Sequence, residues 1–228
     1  MITFNKHLPF SAKQKTGTAT IATSVIGVWA LWLCTLKSYA FVAKDPFLVL
    51  SKIAILAGTI CMCWTFICAS RVKLLEKLFG GMDKVYHAHK NLGIVTFGCV
   101  ILHVLFQIMR FVPDLNAVKK LIVPGTFNGN FFGTVSFVIF ILLIANTLWI
   151  KVPYHVWKRI HSLFILVLIG TFLHIYLVDK HINASFLLSL YIYSFLFLAF
   201  LSYTYIRFAY YYLGPRYEYQ VHHIEKMR

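Results

Sequence analysis

Charge is what this sequence has least of. Only 13% of its 228 residues are Asp, Glu, Lys or Arg, against 60% hydrophobic, which leaves little room for the polar surface of a water-soluble domain. Other absences remove whole kinds of chemistry. The five cysteines form no C-x-x-C pair, so neither a redox dithiol nor a zinc knuckle is indicated, and without C-x-x-C-H no haem is attached covalently. No G-x-G-x-x-G run, P-loop or polar catalytic triad is present, and the chain therefore carries no motif of its own for NAD(P)H. Long-period repeats and low-complexity tracts are missing as well.

What the sequence has instead is length in its apolar runs. Several approach twenty residues, the length that crosses a bilayer as a helix, and they define an all-α membrane protein built as a six-transmembrane helical bundle. The expected spans cover 18–36, 47–70, 84–109, a stretch within 121–150, 158–178 and 184–206. They divide the chain into an N-terminal tail (1–17), a membrane domain (18–212) and a C-terminal tail (213–228). Cys34, Cys61, Cys63, Cys68 and Cys99 all fall inside apolar runs, where a thiol behaves as a small hydrophobe. The first run has an alternative as a signal peptide, with Ser38, Tyr39 and Ala40 at a cleavage site, but its length favours a retained helix. Gly125, Gly129 and Gly133 fit either turns or a close helix contact; with Pro124 and Asn128 beside them, turns at the helix entry are expected. A glycosylation sequon at Asn183, Ala184 and Ser185 abuts the membrane and is set aside.

The net charge of +15 would raise the question of nucleic acid in a soluble protein. Here the basic residues cluster between apolar runs, as topology signals do, and no nucleic-acid partner is expected. Six spans with the N-terminus inside place fifteen of the twenty-two Lys and Arg on the inner side. The expectation is a multi-pass protein of the plasma (inner) membrane, in contact with lipid and with both termini cytoplasmic.

Histidines mark the third and fifth spans. His89 and His103 lie on one, His161 and His174 on the other, each near an end of the apolar stretch. Spans three and five run in the same direction, so His89 pairs in depth with His161 near the inner face, and His103 with His174 near the outer face. Fourteen residues separate His89 from His103, about 21 Å along a helix, so no single ion reaches both. A zinc shared by one cross-helix pair would have two of its usual four ligands, with no Cys, Asp or Glu nearby to complete it. Haem resolves the shortage, because the macrocycle supplies four equatorial nitrogens and the protein only the axial ones. The four histidines are thus candidate iron ligands of two b-type haems stacked between spans three and five. Helical phase supports the first pair, whose offset is about 40°, and leaves a difficulty for His161 and His174, whose offset is near 140°. Either the backbone around Gly170 departs from ideal geometry, or the fifth span meets the two haems on different flanks. His87 has a poorer phase to His103, and His155 is expected in the loop. Lys90, Lys158 and Arg159 are candidates for neutralising haem propionates while anchoring the helices at the interface. Phe97, Phe106, Phe164 and Phe172 are candidates for packing the macrocycles. Lys52 is the one ionised residue well inside an expected span. Snorkelling is the expected account, with contact to a propionate or an anionic acceptor as the sharper one.

His89, Lys90, Asn91, Leu92 and Gly93 with His103, and Trp157, Lys158, Arg159, Ile160 and His161 with His174, resemble the two histidine motifs of the ferric reductase-like transmembrane family. That family takes in the NADPH oxidases, the ferric-chelate reductases and the haem subunit of the periplasmic methionine sulfoxide reductase system. The resemblance is close over 84–178 and elsewhere rests on span number and order. It implies electron flow from cytosolic NADPH through a flavin to the inner haem, then to the outer haem and on to oxygen, ferric iron or another acceptor. It also implies that FAD and NAD(P)H act through a flavoprotein domain or subunit. Tyr217, Glu218, Tyr219, Gln220 and Val221 alternate like a strand and are similar to the entry of the flavin-binding barrel in fused members. The alternative within the same class is a free-standing haem subunit fed by quinone or a separate flavin reductase and serving a periplasmic partner. A channel or transporter would need charged or broken helices along a path, which the spans do not offer.

Overall fold

A computed structural model of the chain describes residues 12–36, 45–112, 114–123 and 129–214. Residues 1–11 of the N-terminal tail, the Ser38 to Ala40 stretch, Pro124, Gly125 and Asn128, and the strand-like run from Tyr217 to Val221 lie outside the described residues. Every regular element among those described is helical. Six helices are long and apolar enough to cross a membrane: Lys15–Thr35, Pro46–Ala69, Met82–Phe111, Gly129–Leu148, Tyr154–Val178 and Phe186–Leu213. Numbered in this order as spans one to six, they agree in number and sequence position with the expected spans. Short helices, Lys73–Phe79, Leu115–Ile122 and Lys180–Ala184, lie in the connections.

Proline placement explains why these segments stay helical. None of the six prolines falls in the interior of a span; Pro46 opens span two and Pro153 caps span five. At those places the missing N–H costs nothing, because the first turn of a helix has no internal partner for it. Asp45 caps span two by accepting from the Leu48 N–H, and its other carboxylate oxygen accepts from Arg110 Nε at 2.6 Å, tying the start of span two to the end of span three.

In hydrocarbon, polar side chains must find partners inside the protein. Ser24 on span one meets this demand with two neighbours: its hydroxyl accepts from Trp64 Nε1 of span two at 2.9 Å, and its carbonyl accepts from the Tyr191 hydroxyl of span six at 2.8 Å. The entry to span three is set by a glycine pair. Gly80, at φ 78°, and Gly81, at φ 146°, both donate to the Glu76 carbonyl and turn the chain into Met82. Such angles strain any residue with a Cβ. Beside this turn Arg71, at φ 57°, sets its guanidinium over the rings of Tyr86 and Tyr210, 5.7 and 5.9 Å from their centres. That contact joins the loop before span three to the base of span six.

Two helix pairs form the frame. Span two packs along span three, and span four along span five, whereas spans three and five do not close on one another. The glycines of span four explain the second pairing and correct the expectation of turns. Gly129 and Gly133 are helical, and a Cβ on either would collide with span five, at Val178 and at His174. Gly170 on span five makes the reciprocal approach against Ser136. Of the two alternatives the close helix contact is correct for both described glycines, with small residues letting the backbones approach.

Gly170→Ala should therefore destabilise the fold by about 1–3 kcal/mol through overpacking against Ser136. Gly93→Ala, where an added Cβ meets nothing within 4 Å, should be neutral or stabilising by less than about 1 kcal/mol. Thermal unfolding of the two variants in detergent compares them directly.

Candidate functional site

The unbroken helix Met82–Phe111 carries His89 and His103 with the spacing and phase of a regular helix. Facing them, His161 ends the helix Tyr154–His161 and His174 lies on Phe164–Val178. The structure brings His89 and His161 together, with ring centres 6.2 Å apart and planes inclined at 56°. His103 and His174 are near enough to act on one another electrostatically. The first expected pair is thus a ring contact, and the second is an electrostatic neighbourhood.

The phase difficulty in span five is relieved by local backbone geometry, at a different place from the one expected. The helix is interrupted at Ser162 and Leu163, directly after His161, not at Gly170. Leu163 donates to Ile160, Ile165 to Ser162 and Leu166 to Leu163, all three-residue bonds of the tighter helix type. Each residue wound this way turns about 120° rather than 100°, so three of them recover roughly 60° of the mismatch.

Each histidine is held through its Nδ1 by a neighbouring span. His89 Nδ1 lies 2.9 Å from the Thr65 carbonyl, and His174 Nδ1 lies 2.7 Å from the Gly129 carbonyl. A carbonyl can only accept, so both rings carry the proton on Nδ1. His103 Nδ1 meets Ser51 Oγ at 2.8 Å and the Ser51 carbonyl at 3.3 Å, while that hydroxyl donates to the His103 carbonyl. His161 Nδ1 lies 3.4 Å from Thr147 Oγ1, whose proton goes to the Leu143 carbonyl. With these partners all four imidazoles serve as Nδ1–H donors, which leaves Nε2 as the nitrogen that can bind a metal. That is the outer support of a metal-ligating histidine.

The supporting residues were not expected from sequence. Ser51 and Thr147 had a signal, a hydroxyl within an apolar run, but the carbonyls of Thr65 and Gly129 had none. Three buried side-chain atoms lack a partner among the described residues: Thr96 Oγ1, Gln107 Oε1 and Asn146 Oδ1. Thr96 and Gln107 stand seven residues after His89 and four after His103, on nearly the same helical face.

Aromatic side chains line part of the space between spans three and five. Phe140 of span four meets Phe97 at 6.2 Å and Phe164 at 5.9 Å, and Phe164 packs edge-on to His161 at 4.9 Å. Phe172 departs from expectation, since it is 41% exposed and packs on Tyr176 and on Tyr193 of span six. Lys52 departs too. Its ammonium forms an ion pair with Asp179, where snorkelling had been expected. His155 is exposed and sits in the first turn of a helix, where a loop had been expected, and His87 is exposed on span three. Lys90, Lys158 and Arg159 are exposed, each within a few residues of His89 or His161.

Six apolar helices define a multi-pass helical membrane protein, with histidines of spans three and five set toward one another. Residues 54–172, more than half of the chain, match the family model described as ferric reductase like transmembrane component, and the chain belongs to that family. Membership points to a role in membrane electron transfer, and proteins of this family generally bind haem. No curated protein matches the chain.

The residues present fit that group. An iron between two imidazoles, at about 2 Å per metal–nitrogen bond, needs ring centres roughly 6 Å apart, and those of His89 and His161 are separated by 6.2 Å. Among the described residues no three His, Cys, Asp or Glu come together, so each site offers two protein ligands, the number a porphyrin leaves open. Ser51→Ala, which removes the hydroxyl accepting from His103, should weaken haem retention at the second pair about 10–100-fold and leave the first pair loaded. Competition with apomyoglobin measures it.

Proposed function

We propose that the chain is a haem-b electron-transfer protein carrying electrons from a cytosolic flavin or NAD(P)H donor across the membrane. The acceptor is one such as oxygen, ferric iron or a periplasmic protein. A single observation supports this reading: four imidazoles on spans three and five, each held through Nδ1 by a neighbouring span, with His89 and His161 facing one another at 6.2 Å.

His89 and His161 would hold one haem near the inner face, and His103 and His174 the other near the outer face. When bound, a b-type haem supplies an iron that takes up and releases one electron. The chain's own residues do the rest. The carbonyls of Thr65 and Gly129 and the hydroxyls of Ser51 and Thr147 fix ring orientation and make Nε2 the ligating nitrogen, with its basicity raised. Phe97, Phe140 and Phe164 exclude water from the space between the helix pairs. Lys90, Lys158 and Arg159 are placed to neutralise propionates at the inner face, where basic residues gather. FAD and NAD(P)H enter through a flavoprotein domain or partner.

The purified protein should show the absorption spectrum of a reduced b-type cytochrome after dithionite. His103→Leu and His174→Leu should each lower haem content from two per chain to one while the remaining haem stays reducible. Pyridine haemochrome quantitation decides the matter, and unchanged haem in both variants would refute the assignment.

A further inference from the structure

Two ion pairs between spans differ in setting. Arg110 and Asp45 are 32% and 25% exposed, at the ends of two spans. Lys52 and Asp179 are 15% and 12% exposed. Lys52 lies on span two, directly after the Ser51 that holds His103, and Asp179 follows span five, five residues beyond His174. The pair therefore links the support of one outer histidine to the helix carrying the other, across the space between the two helix pairs. Both histidines lie within electrostatic reach of both charges.

Asp179 is also fully engaged. Oδ2 receives the Lys52 ammonium, and Oδ1 accepts from the Ile182 N–H at 3.1 Å, capping the helix Lys180–Ala184. A carboxylate with both oxygens in use is fixed in place. Ion pairs at membrane depth are expensive, and an apolar pair of the same volume often holds helices as well or better. What an apolar pair cannot supply is a fixed positive charge cancelled by a fixed negative one beside a redox centre.

We propose that Lys52 and Asp179 form a charge-balancing pair for the outer histidine centre, holding its surroundings neutral and so setting its reduction potential. Reduction adds one electron to a ferric iron and takes up no proton in this scheme, with dithionite as the reductant in the titration below. The ferric state carries the extra positive charge. A lone ammonium nearby destabilises it and raises the potential, whereas a lone carboxylate stabilises it and lowers the potential. The inference rests on the haem assignment above and adds to it a role for two residues that bind no iron.

The test is a mediated redox titration of the purified, haem-loaded full chain, resolving the inner and outer waves. Asp179→Asn keeps the helix cap and should move the outer wave to higher potential. Lys52→Gln should move it to lower potential, and the double variant should return it close to wild type; the inner wave should stay in place throughout. Outer waves that shift in the same direction, or not at all, would overturn the proposal and leave the pair as a helix clamp. Should a single substitution cost the outer haem, the double variant is expected to regain it, since no charge is then left unpaired; a double variant that also loses it overturns the proposal. A wild-type protein without haem refutes the assignment itself. Two haems with unresponsive potentials refute only the charge balance.

Discussion

A ring N–H in a lipid-filled or protein-filled interior must be given a partner, and this constraint shapes the site more than any other. The four imidazoles of the third and fifth spans meet it through spans two and four, never through each other. His89 and His103 lean on span two, and His161 and His174 on span four. The commitment of each Nδ1 decides the tautomer, and the tautomer decides where the lone pair points. Orientation and chemistry thus come from the same hydrogen bond. Each such bond contributes only about 1 kcal/mol net, but leaving the group unpaired would cost about 1–3 kcal/mol.

That arrangement explains why the bundle is assembled from two tight helix pairs and not as one evenly packed core. Span two must approach span three closely to offer a carbonyl and a hydroxyl at two depths, and span four must do the same for span five. Glycine makes the second approach possible: Gly129, Gly133 and Gly170 remove the Cβ atoms that would separate spans four and five. The space left between spans three and five is bordered by Phe97, Phe140 and Phe164. The break at Ser162 and Leu163 belongs to the same design, because it turns the fifth helix after His161 where a regular helix would carry His174 away from the facing span.

Much of this was legible in the chain itself. Six runs of lipid-compatible length gave six spans, since length and hydropathy act locally and need no knowledge of neighbours. The axial separation of His89 and His103 also followed, because rise per residue is fixed along a helix. The family motifs around His89 and His161 were readable for the same reason. Less was legible where two distant segments meet. Lys52 has no sequence neighbour that reveals Asp179, 127 positions away. Gly129 and Gly133 could have served turns or contacts, and only the position of span five distinguishes the two.

The sequence by itself therefore determined the number of spans, their order and which spans carry the four histidines, because each follows from the composition and pitch of one segment. Tertiary structure decided which nitrogen of each ring is held, which span supports it, how the fifth helix recovers part of its phase and what neutralises Lys52. Those depend on backbone carbonyls and on contacts between segments far apart in the chain, and a carbonyl carries no side-chain signature from which its partner can be read.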